Sequence, residues 1–564
     1  MQRRMKKIFS LLLASAMVLA LVSCGKQATE TPAEESTQTA QEPAQTSEEP
    51  AAEHTIDTPA AEDSYLPVTV SYIYGYRTAD DGTTIASSKC PKIELKELAI
   101  RDDGTTGWRL ADGYDALNAA IEKWDKETET VNNDSLDANE EFAKAAMENG
   151  AWYDGQVFAD ETSATVKRAD STVLSVSLKT YGDEGGAHPS TMYSGVTFDS
   201  QTGTILKVSD LVTDTDKLAE ETISRIHKEY PDINDGLSEE ALTSGVKRFL
   251  SDGTGEGECF SLSSEGMDIA FSADFLTPHA YGPVFVTLPF ADYPDLFYEK
   301  YAVGESEFFT PVEEGTTITN PLGQRISWYL ETAVTEEGID DPSNYKLHIT
   351  VDGYDTAFPA ELSYSVKTYG LFRNNKYYLY CDGTGDDGYH SLLIYEISGS
   401  GAACLSGDIP LSLGFYDYIP VDPNHFILQG RSHVMGTEQV GRYYSVGSDG
   451  LPVAEDAPWT YIIFDDNGEL SNRTLTVRQE VTMEAVKDAE DYDFTKKRDT
   501  VTLEPDDKLT LRTTDNSNTA ILETEDGKYL RVTLAGEDGD MVGGCQFIDG
   551  KDASEIFDGM ILAG

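Results

Sequence analysis

The sequence predicts an α+β N-terminal half, with an antiparallel sheet and a few helices, followed by an all-β C-terminal half in a multi-domain chain. Three observations lead to this fold class. Short runs rich in Val, Ile, Tyr, Phe and Leu recur between turn residues, as strands of antiparallel sheets do. Helical periodicity occurs only before residue 305. The chain has 564 residues, which is enough for several domains.

The chain begins with a segment typical of export signals. A basic stretch over residues 1–7 precedes an apolar run over residues 8–22, and Cys24 follows within Leu-Val-Ser-Cys-Gly. This arrangement resembles the lipobox of bacterial lipoproteins, in which the cysteine receives a diacylglycerol. The resemblance implies a lipoprotein signal peptide at residues 1–24, lipid attachment at Cys24, and an extracytoplasmic protein anchored to the outer face of the bacterial cell membrane. Cleavage within the Ala-Ser-Ala of residues 14–16 would instead give an ordinary secreted protein.

Residues 25–64 are predicted to be a disordered acidic tether. They are rich in Glu, Thr, Ala, Gln, Pro and Ser, and Ile56 is their only large aliphatic residue. Such a segment buries too little apolar surface to offset the entropy lost on ordering. The whole chain has a formal net charge of −58 at pH 7, which repels nucleic acid and attracts basic proteins. Nucleic acid is therefore excluded as a partner.

The folded part is predicted to begin at residue 65, and periodicity and turn residues mark its elements. Predicted helices run from Asp115 towards Trp124 and over residues 138–147, 216–230 and 238–250. Ser238, with two glutamates after it, is a typical N-cap. Predicted strands cover residues 172–179, 192–198, 267–271, 284–288, 346–351, 376–380, 392–397, 460–464, 500–503 and 529–534.

Five cysteines remain after Cys24, and they are widely scattered. They are Cys90, Cys259, Cys381, Cys404 and Cys545. None belongs to a Cys-x-x-Cys pair or to a zinc-type spacing. Five is an odd number and a small one for this length, so the fold does not depend on disulfides. Whether any disulfide forms is left open by the sequence.

Two blocks of residues carry a resemblance to a known family. The first contains Tyr-Gly at residues 181–182, Gly-Gly-Ala-His at residues 185–188, and Tyr193. The second, over residues 260–290, follows the predicted helix pair and begins with Phe-Ser-Leu. Together they resemble the extracytoplasmic domain of the lysozyme-sensing anti-sigma factor, a unit that also accompanies certain peptidoglycan deacetylases. The preceding segment is similar to the companion domain of that unit.

The resemblance covers residues 65–302 and implies a non-catalytic binding module. It divides this part into an α+β accessory domain at residues 65–160 and an α+β domain at residues 161–302. Relatives of the module bind lysozyme or cell-wall glycan, so lysozyme and peptidoglycan are the expected partners. The deacetylases require a separate metal-dependent catalytic domain, and the chain contains no matching His-x-x-x-His motif.

The candidate ligand-binding residues implied by the resemblance are Gly185, Gly186, His188 and Tyr193. Glycines permit positive φ or a close backbone approach, and an adjacent histidine can contact a partner. The alternative for His188 is structural, with its imidazole tying a loop to the sheet.

No motif for zinc binding, nucleophilic catalysis or phosphate binding is complete, so we expect a protein that is not an enzyme and has no cofactor. One segment offers oxygen ligands at alternate positions, and it makes Asp382 and Asp386 candidates for a calcium site. The glycine and glutamate of an EF-hand loop are missing from it. A β-turn between two strands is the alternative for this segment, and no other metal site is expected.

The remaining chain is predicted to contain an all-β domain of unknown type at residues 303–497 and a small SH3-like barrel at residues 498–564. We therefore expect a cell-envelope lipoprotein that binds lysozyme or peptidoglycan without catalysis. Two alternatives stay open. One is an envelope enzyme acting on wall polymers with a site in residues 303–564, and the other is a surface scaffold for other envelope proteins.

Overall fold

The computed structural model describes residues 65–562 apart from twelve short gaps. The gaps are residues 154, 186–187, 252–258, 274, 303–306, 336–337, 361–363, 386–388, 400, 415–417, 466–469 and 537–546. The N-terminal half combines sheet and helices and the C-terminal half is mostly sheet, which confirms the predicted fold class. Within the described ranges, no helix is both long enough and apolar enough to cross a membrane.

A five-stranded sheet forms the centre of the N-terminal half. The first strands are β1 (Thr69–Thr78), β2 (Thr84–Glu94), β3 (Lys96–Ile100), β4 (Thr106–Leu110), β5 (Phe158–Ala169), β6 (Val173–Asp183) and β7 (Ser190–Asp199). Five of them join in the order β1-β2-β5-β6-β7, and β3 pairs with β4 as a separate hairpin. β2 and β5 run parallel, which requires a long crossover between them. The sheet therefore crosses the domain boundary that the sequence predicts after residue 160.

The crossover is one continuous helix, α1 (Asp115–Glu148), where the sequence predicts two shorter helices. Its buried residues lie near both ends: Leu117, Ile121, Trp124, Leu136, Asn139 and Ala143. The polar middle contains neither Gly nor Pro, so nothing in it breaks the helix. Asn132 in this middle part donates from Nδ2 to Ser88 Oγ of β2 (3.0 Å). The two-helix prediction was wrong because polar residues, too, face the sheet here.

A three-stranded antiparallel sheet with a helix pair forms the next layer. Its elements are α2 (Val208–Leu211), α3 (Thr215–Glu229), α4 (Glu239–Phe249), β8 (Phe260–Leu262), β9 (Gly266–Phe271), β10 (Val284–Pro289) and α5 (Glu299–Ala302). The strand order is β10-β9-β8. Ser238 accepts a hydrogen bond from the backbone N–H of Ala241 (3.3 Å), which confirms the predicted N-cap of α4. The helices bury their apolar faces against this sheet.

Two antiparallel sheets follow in the C-terminal half. Their strands are β11 (Phe308–Pro311), β12 (Thr317–Thr319), β13 (Arg325–Glu331), β14 (Lys346–Val351), β15 (Tyr354–Pro359), β16 (Ser365–Arg373), β17 (Lys376–Thr384), β18 (His390–Ser398) and β19 (Gly401–Cys404). One sheet has the order β11-β16-β17-β18-β19 and the other β12-β13-β14-β15. Alternate residues of β17 belong to two different apolar cores, so this strand is buried on both faces.

The last part of the chain forms an eleven-stranded sheet and two small hairpins. Its elements are β20 (Phe426–Ser432), β21 (Glu438–Val446), β22 (Pro452–Ala454), β23 (Trp459–Tyr461), β24 (Ile463–Phe464), β25 (Leu470–Ser471), β26 (Thr474–Val477), β27 (Val481–Val486), β28 (Thr500–Leu503), β29 (Lys508–Thr514), β30 (Thr519–Thr524), β31 (Tyr529–Thr533), β32 (Phe547–Ile548), β33 (Lys551–Asp552), α6 (Ala553–Ile556) and β34 (Phe557–Asp558). β27 pairs with both β28 and β31. The strands on either side of residue 498 thus share one sheet, where the sequence predicts a separate small barrel.

A buried lysine and a half-buried arginine connect the two halves. Lys167 of β5 lies 3.3 Å from an Asp268 carboxylate oxygen of β9, and its Nζ also donates to the backbone oxygen of Pro311 (3.4 Å). Arg325 of β13 lies 3.2 Å from the Glu229 carboxylate at the end of α3. The first cation joins the five-stranded sheet to β9 and β11, and the second joins the β12–β15 sheet to α3.

Candidate binding site

The five-stranded sheet has one face against α1 and the other directed away from it. A Cβ placed on Gly75 would stand 2.6 Å from the Leu136 side chain of α1, so Gly75 and the residues in its register face the helix. Side chains alternate along a strand. Tyr74 and Tyr76, which flank Gly75, therefore point to the opposite face. We call this opposite face the open face.

One row of side chains crosses the open face perpendicular to the strands. The register pairs Tyr74 with Lys89, Lys89 with Glu161, Glu161 with Tyr181, and Tyr181 with Thr191. Paired residues lie on the same face of a sheet. We call these five residues the tyrosine row. Three strand spacings separate its two tyrosines, a distance of about 14 Å.

Both tyrosines of the row are accessible. Tyr74 is 58 % exposed and Tyr181 is 39 % exposed, and Tyr76 and Tyr153 are also exposed nearby. Tyr153 is close enough to Tyr181 to raise the pKa of its hydroxyl, although burial and the carboxylates of Asp183 and Glu161 contribute more. Exposed aromatic rings on a rigid sheet offer flat apolar surfaces with a polar edge.

The centre of the tyrosine row is polar. Lys89 Nζ donates to Ser163 Oγ (3.0 Å) and stands 4.0 Å from the centre of the Tyr72 ring. Glu161 accepts a hydrogen bond from Ser87 Oγ (3.2 Å). Burial lowers the pKa of Lys89, and the neighbouring Glu161 partly offsets that effect. The row thus places a hydrogen-bond donor and an acceptor between two aromatic rings.

The open face ends where β8 crosses it. A Cβ on Gly195 of β7 would overlap the backbone oxygen of Phe260 in β8. Just before this point, the Tyr193 ring packs edge-on against Phe285 with ring centres 5.0 Å apart. Burial, with a contribution from Glu313, raises the pKa of Tyr193 to about 12. Tyr193 therefore keeps its hydroxyl proton across the physiological pH range.

The β6–β7 hairpin carries the residues that the family resemblance singles out. Gly185 has a positive φ of 68°, and a Cβ there would stand 2.6 Å from Gln156 Nε2 and 2.7 Å from Phe158 Cζ. The loop therefore requires glycine at this position. His188 is exposed and stacks on His279, with ring centres 5.5 Å apart. This contact ties the hairpin to the turn before β10.

The other predicted site residues lie apart from the open face or outside the described residues. Gly186, Asp386, Cys24 and Cys545 lie outside them. Asp382 is buried in β17, and its Oδ2 accepts hydrogen bonds from Ser412 Oγ and from the backbone N–H groups of residues 413 and 414. Asp382 thereby fixes the loop after residue 411. In the described part of the chain, no group of three or more His, Cys, Asp or Glu side chains is arranged to hold a metal ion.

The described cysteines are unbridged. Cys90, Cys259 and Cys381 are buried and Cys404 is exposed, and none of the four forms a disulfide. Burial is the main cause that raises the pKa of Cys90 to about 12, and nearby carboxylates add to it. The pKa of Cys381 is also raised to about 12, again chiefly by burial. These two thiols are protonated at neutral pH and behave as small apolar side chains.

The tyrosine row was missed by the sequence reasoning. The sequence motif includes Tyr181 but not Tyr74, Lys89 or Glu161. The signal that was present is the alternation of tyrosines at residues 72, 74 and 76, which places three aromatic side chains on one face of a strand.

Comparisons with known proteins give no family assignment. No protein-family model matches the chain, and no curated protein matches it. Two solved structures of DUF3298 family proteins are similar to part of it. The structure from Bacteroides fragilis is 15 % identical over 42 % of this chain and 96 % of its own, with a TM-score of 0.29. The structure from Pseudomonas aeruginosa is 12 % identical over 43 % of this chain and 100 % of its own, also with a TM-score of 0.29.

Proposed function

We propose that this chain is a non-catalytic cell-envelope lipoprotein that binds the glycan strands of peptidoglycan on its open face. The tyrosine row is the observation that carries the proposal. Sugar rings present apolar C–H faces that stack on aromatic rings, and their hydroxyl and amide groups need both donors and acceptors. The row offers Tyr74 and Tyr181 for stacking and Lys89 and Glu161 for hydrogen bonds.

The open face carries two lysines that can contact an anionic polymer, beside the carboxylates of Glu161 and Asp183. The chain as a whole has a formal charge of −58, yet Lys89 and Lys179 both lie on this face, since Lys179 pairs with Tyr193 and with Ser163. The stem peptides of peptidoglycan carry carboxylates that these ammonium groups can pair with. Lipid attachment at Cys24 would place the open face on the outer side of the membrane, where this polymer is found.

The double substitution Tyr74→Ala with Tyr181→Ala is expected to weaken binding to purified peptidoglycan sacculi at least tenfold. Each lost ring contact costs about 1 kcal/mol or more, and about 1.4 kcal/mol corresponds to a factor of ten. The measurement is co-sedimentation of the chain from Gly25 onward with insoluble sacculi, at near-physiological salt. Tyr354→Ala is the matched control, because Tyr354 is 65 % exposed in β15, on a different sheet.

Equal binding by the double variant and the unaltered chain would contradict the proposal. Release of soluble sugar fragments from the sacculi would contradict its non-catalytic part and favour the envelope-enzyme alternative.

Lysozyme is the second candidate partner. The net charge of −58 attracts a strongly basic protein by long-range electrostatics. Such attraction alone weakens steeply with salt. Calorimetric titration with lysozyme at low and at near-physiological salt distinguishes a specific interface from long-range attraction alone. Only a specific interface keeps its affinity at the higher ionic strength.

A further inference from the structure

Three sheets meet at a small cleft beside the tyrosine row. We call it the three-sheet cleft, and it lies between β6 and β7 of the first sheet, β8 to β10 of the second, and β12 of the third. Its volume is about 50 Å³. A water molecule needs about 10–15 Å³ of such space, so the cleft accommodates a group of three or four heavy atoms rather than a whole sugar ring.

The wall of the three-sheet cleft has an apolar part and a polar part. Phe260, Phe285 and Ile318 contribute apolar surface, and Tyr193, Glu313 and the Lys167–Asp268 ion pair contribute polar groups. A ligand group that fits such a wall has a methyl or similar end together with hydrogen-bonding atoms.

Among these polar groups, Tyr193 and Glu313 have unused hydrogen-bonding capacity. Ser177 Oγ donates to Glu313 Oε1 (2.7 Å), and Glu313 Oε2 accepts no hydrogen bond from any residue that the structure describes. The Tyr193 hydroxyl likewise has no hydrogen-bond partner in the described part of the chain, although its backbone N–H donates to Ser272 Oγ (2.8 Å). One donor and one acceptor are therefore free at the same cleft.

The three-sheet cleft is within reach of a ligand on the tyrosine row. Tyr193 is two residues from Thr191 along β7, so the two side chains lie on the same face about 7 Å apart. Lys179 Nζ stands 6.0 Å from the centre of the Tyr193 ring and lies between the row and the cleft. A substituent on a sugar bound at Tyr181 can therefore enter the cleft.

We propose that the three-sheet cleft binds the acetamido group of an N-acetylated sugar, so that the chain selects N-acetylated glycans. This inference rests on the proposed glycan binding at the tyrosine row. The Tyr193 hydroxyl donates to the acetamido oxygen, and the Glu313 carboxylate accepts from its N–H. The methyl group packs against Phe260, Phe285 and Ile318. An acetamido group has the size, the polarity and the methyl end that this wall requires.

The test compares two tetrasaccharides with the same β-1,4 backbone, chitotetraose and cellotetraose, by calorimetric titration of the chain from Gly25 onward. Chitotetraose carries an acetamido group on each ring where cellotetraose carries a hydroxyl. We expect chitotetraose to bind at least tenfold more tightly. Tyr193→Phe is expected to reduce this preference about fivefold with cellotetraose affinity unchanged, because the ring and its contact with Phe285 remain. Tyr354→Phe is the matched control.

The outcomes separate this inference from the proposed function. Equal affinity for the two tetrasaccharides overturns the acetamido inference and leaves glycan binding intact. Binding to sacculi without binding to chitotetraose also overturns it. Failure to bind sacculi and both tetrasaccharides overturns the proposed function itself. A preference for chitotetraose that Tyr193→Phe leaves unchanged overturns the role assigned to the three-sheet cleft.

Discussion

Replacing Gly195 with alanine is expected to lower the free energy of unfolding by about 3 kcal/mol, because the new methyl group has no room. Its Cβ would overlap the backbone oxygen of Phe260 and stand 3.3 Å from the backbone oxygen of Val176. Both obstacles belong to the backbone, so no side-chain rotation relieves the clash. Only a movement of β8 away from the five-stranded sheet does so. The measurement is urea unfolding combined with hydrogen–deuterium exchange over β7 and β8.

Gly401→Ala provides the control for this prediction. Gly401 also lies in a strand, β19, but a Cβ there has nothing within 4 Å. Alanine is therefore expected to leave stability unchanged within about 0.5 kcal/mol. Faster exchange confined to β7 and β8 in the Gly195→Ala variant would show that the packing between the two sheets has opened. Equal stability and exchange in the two variants would contradict the close approach of β8.

The Gly195→Ala variant also bears on function. Phe260, which the new methyl group displaces, forms part of the apolar wall of the three-sheet cleft. A displaced β8 widens the cleft while the tyrosine row stays in place. Selectivity for N-acetylated sugars is therefore expected to fall more than affinity for sacculi does.

The strands that could be predicted from sequence are those with strong apolar content. Seven of the ten predicted runs fall within strands of the structure and the other three overlap strands, because their buried residues are aliphatic or aromatic. β5 was missed because it contains polar Thr, Ser and Glu residues and half of its residues are only half-buried. β2 was missed partly because it contains Pro91, which argues against a central strand. β2 tolerates it because its pairing with β5 covers only Ala86 to Lys89.

The candidate site could be predicted only in part. The family motif led to Gly185, His188 and Tyr193, which lie on one hairpin and are close in sequence. The tyrosine row joins residues from five strands, and its composition depends on strand order and register. Tyr74 and Tyr181 come to lie in one row on the same face only through the parallel pairing of β2 with β5. No local pattern specifies such a pairing, since α1 separates the two strands along the chain.

Replacing Asp125 with asparagine is expected to stabilise the protein by about 1–2 kcal/mol at pH 7.5, and to have little effect near pH 4. Asp125 lies in α1 and accepts a hydrogen bond from the backbone N–H of Ile93 (3.4 Å). Burial, reinforced by the carboxylates of Glu94 and Glu122, raises its pKa from 3.8 to about 6 in the folded protein. The folded state therefore binds more protons than the unfolded state between about pH 4 and pH 6, and stability falls as pH rises through this window.

Asparagine removes this loss of stability because its side chain cannot ionise. Its amide oxygen still accepts the hydrogen bond from the backbone N–H of Ile93. A pKa shift of one unit corresponds to about 1.4 kcal/mol of stability. Because Asp125 is partly exposed, the stability difference is smaller than a shift of two units would give. The measurement is urea unfolding from pH 4 to pH 7.5, taking the difference between variant and unaltered chain at each pH. Glu141→Gln, at an exposed position of the same helix, removes the same charge and is expected to give a difference near zero throughout. A constant difference for Asp125→Asn across this range would show that its carboxyl group titrates alike in the folded and unfolded states.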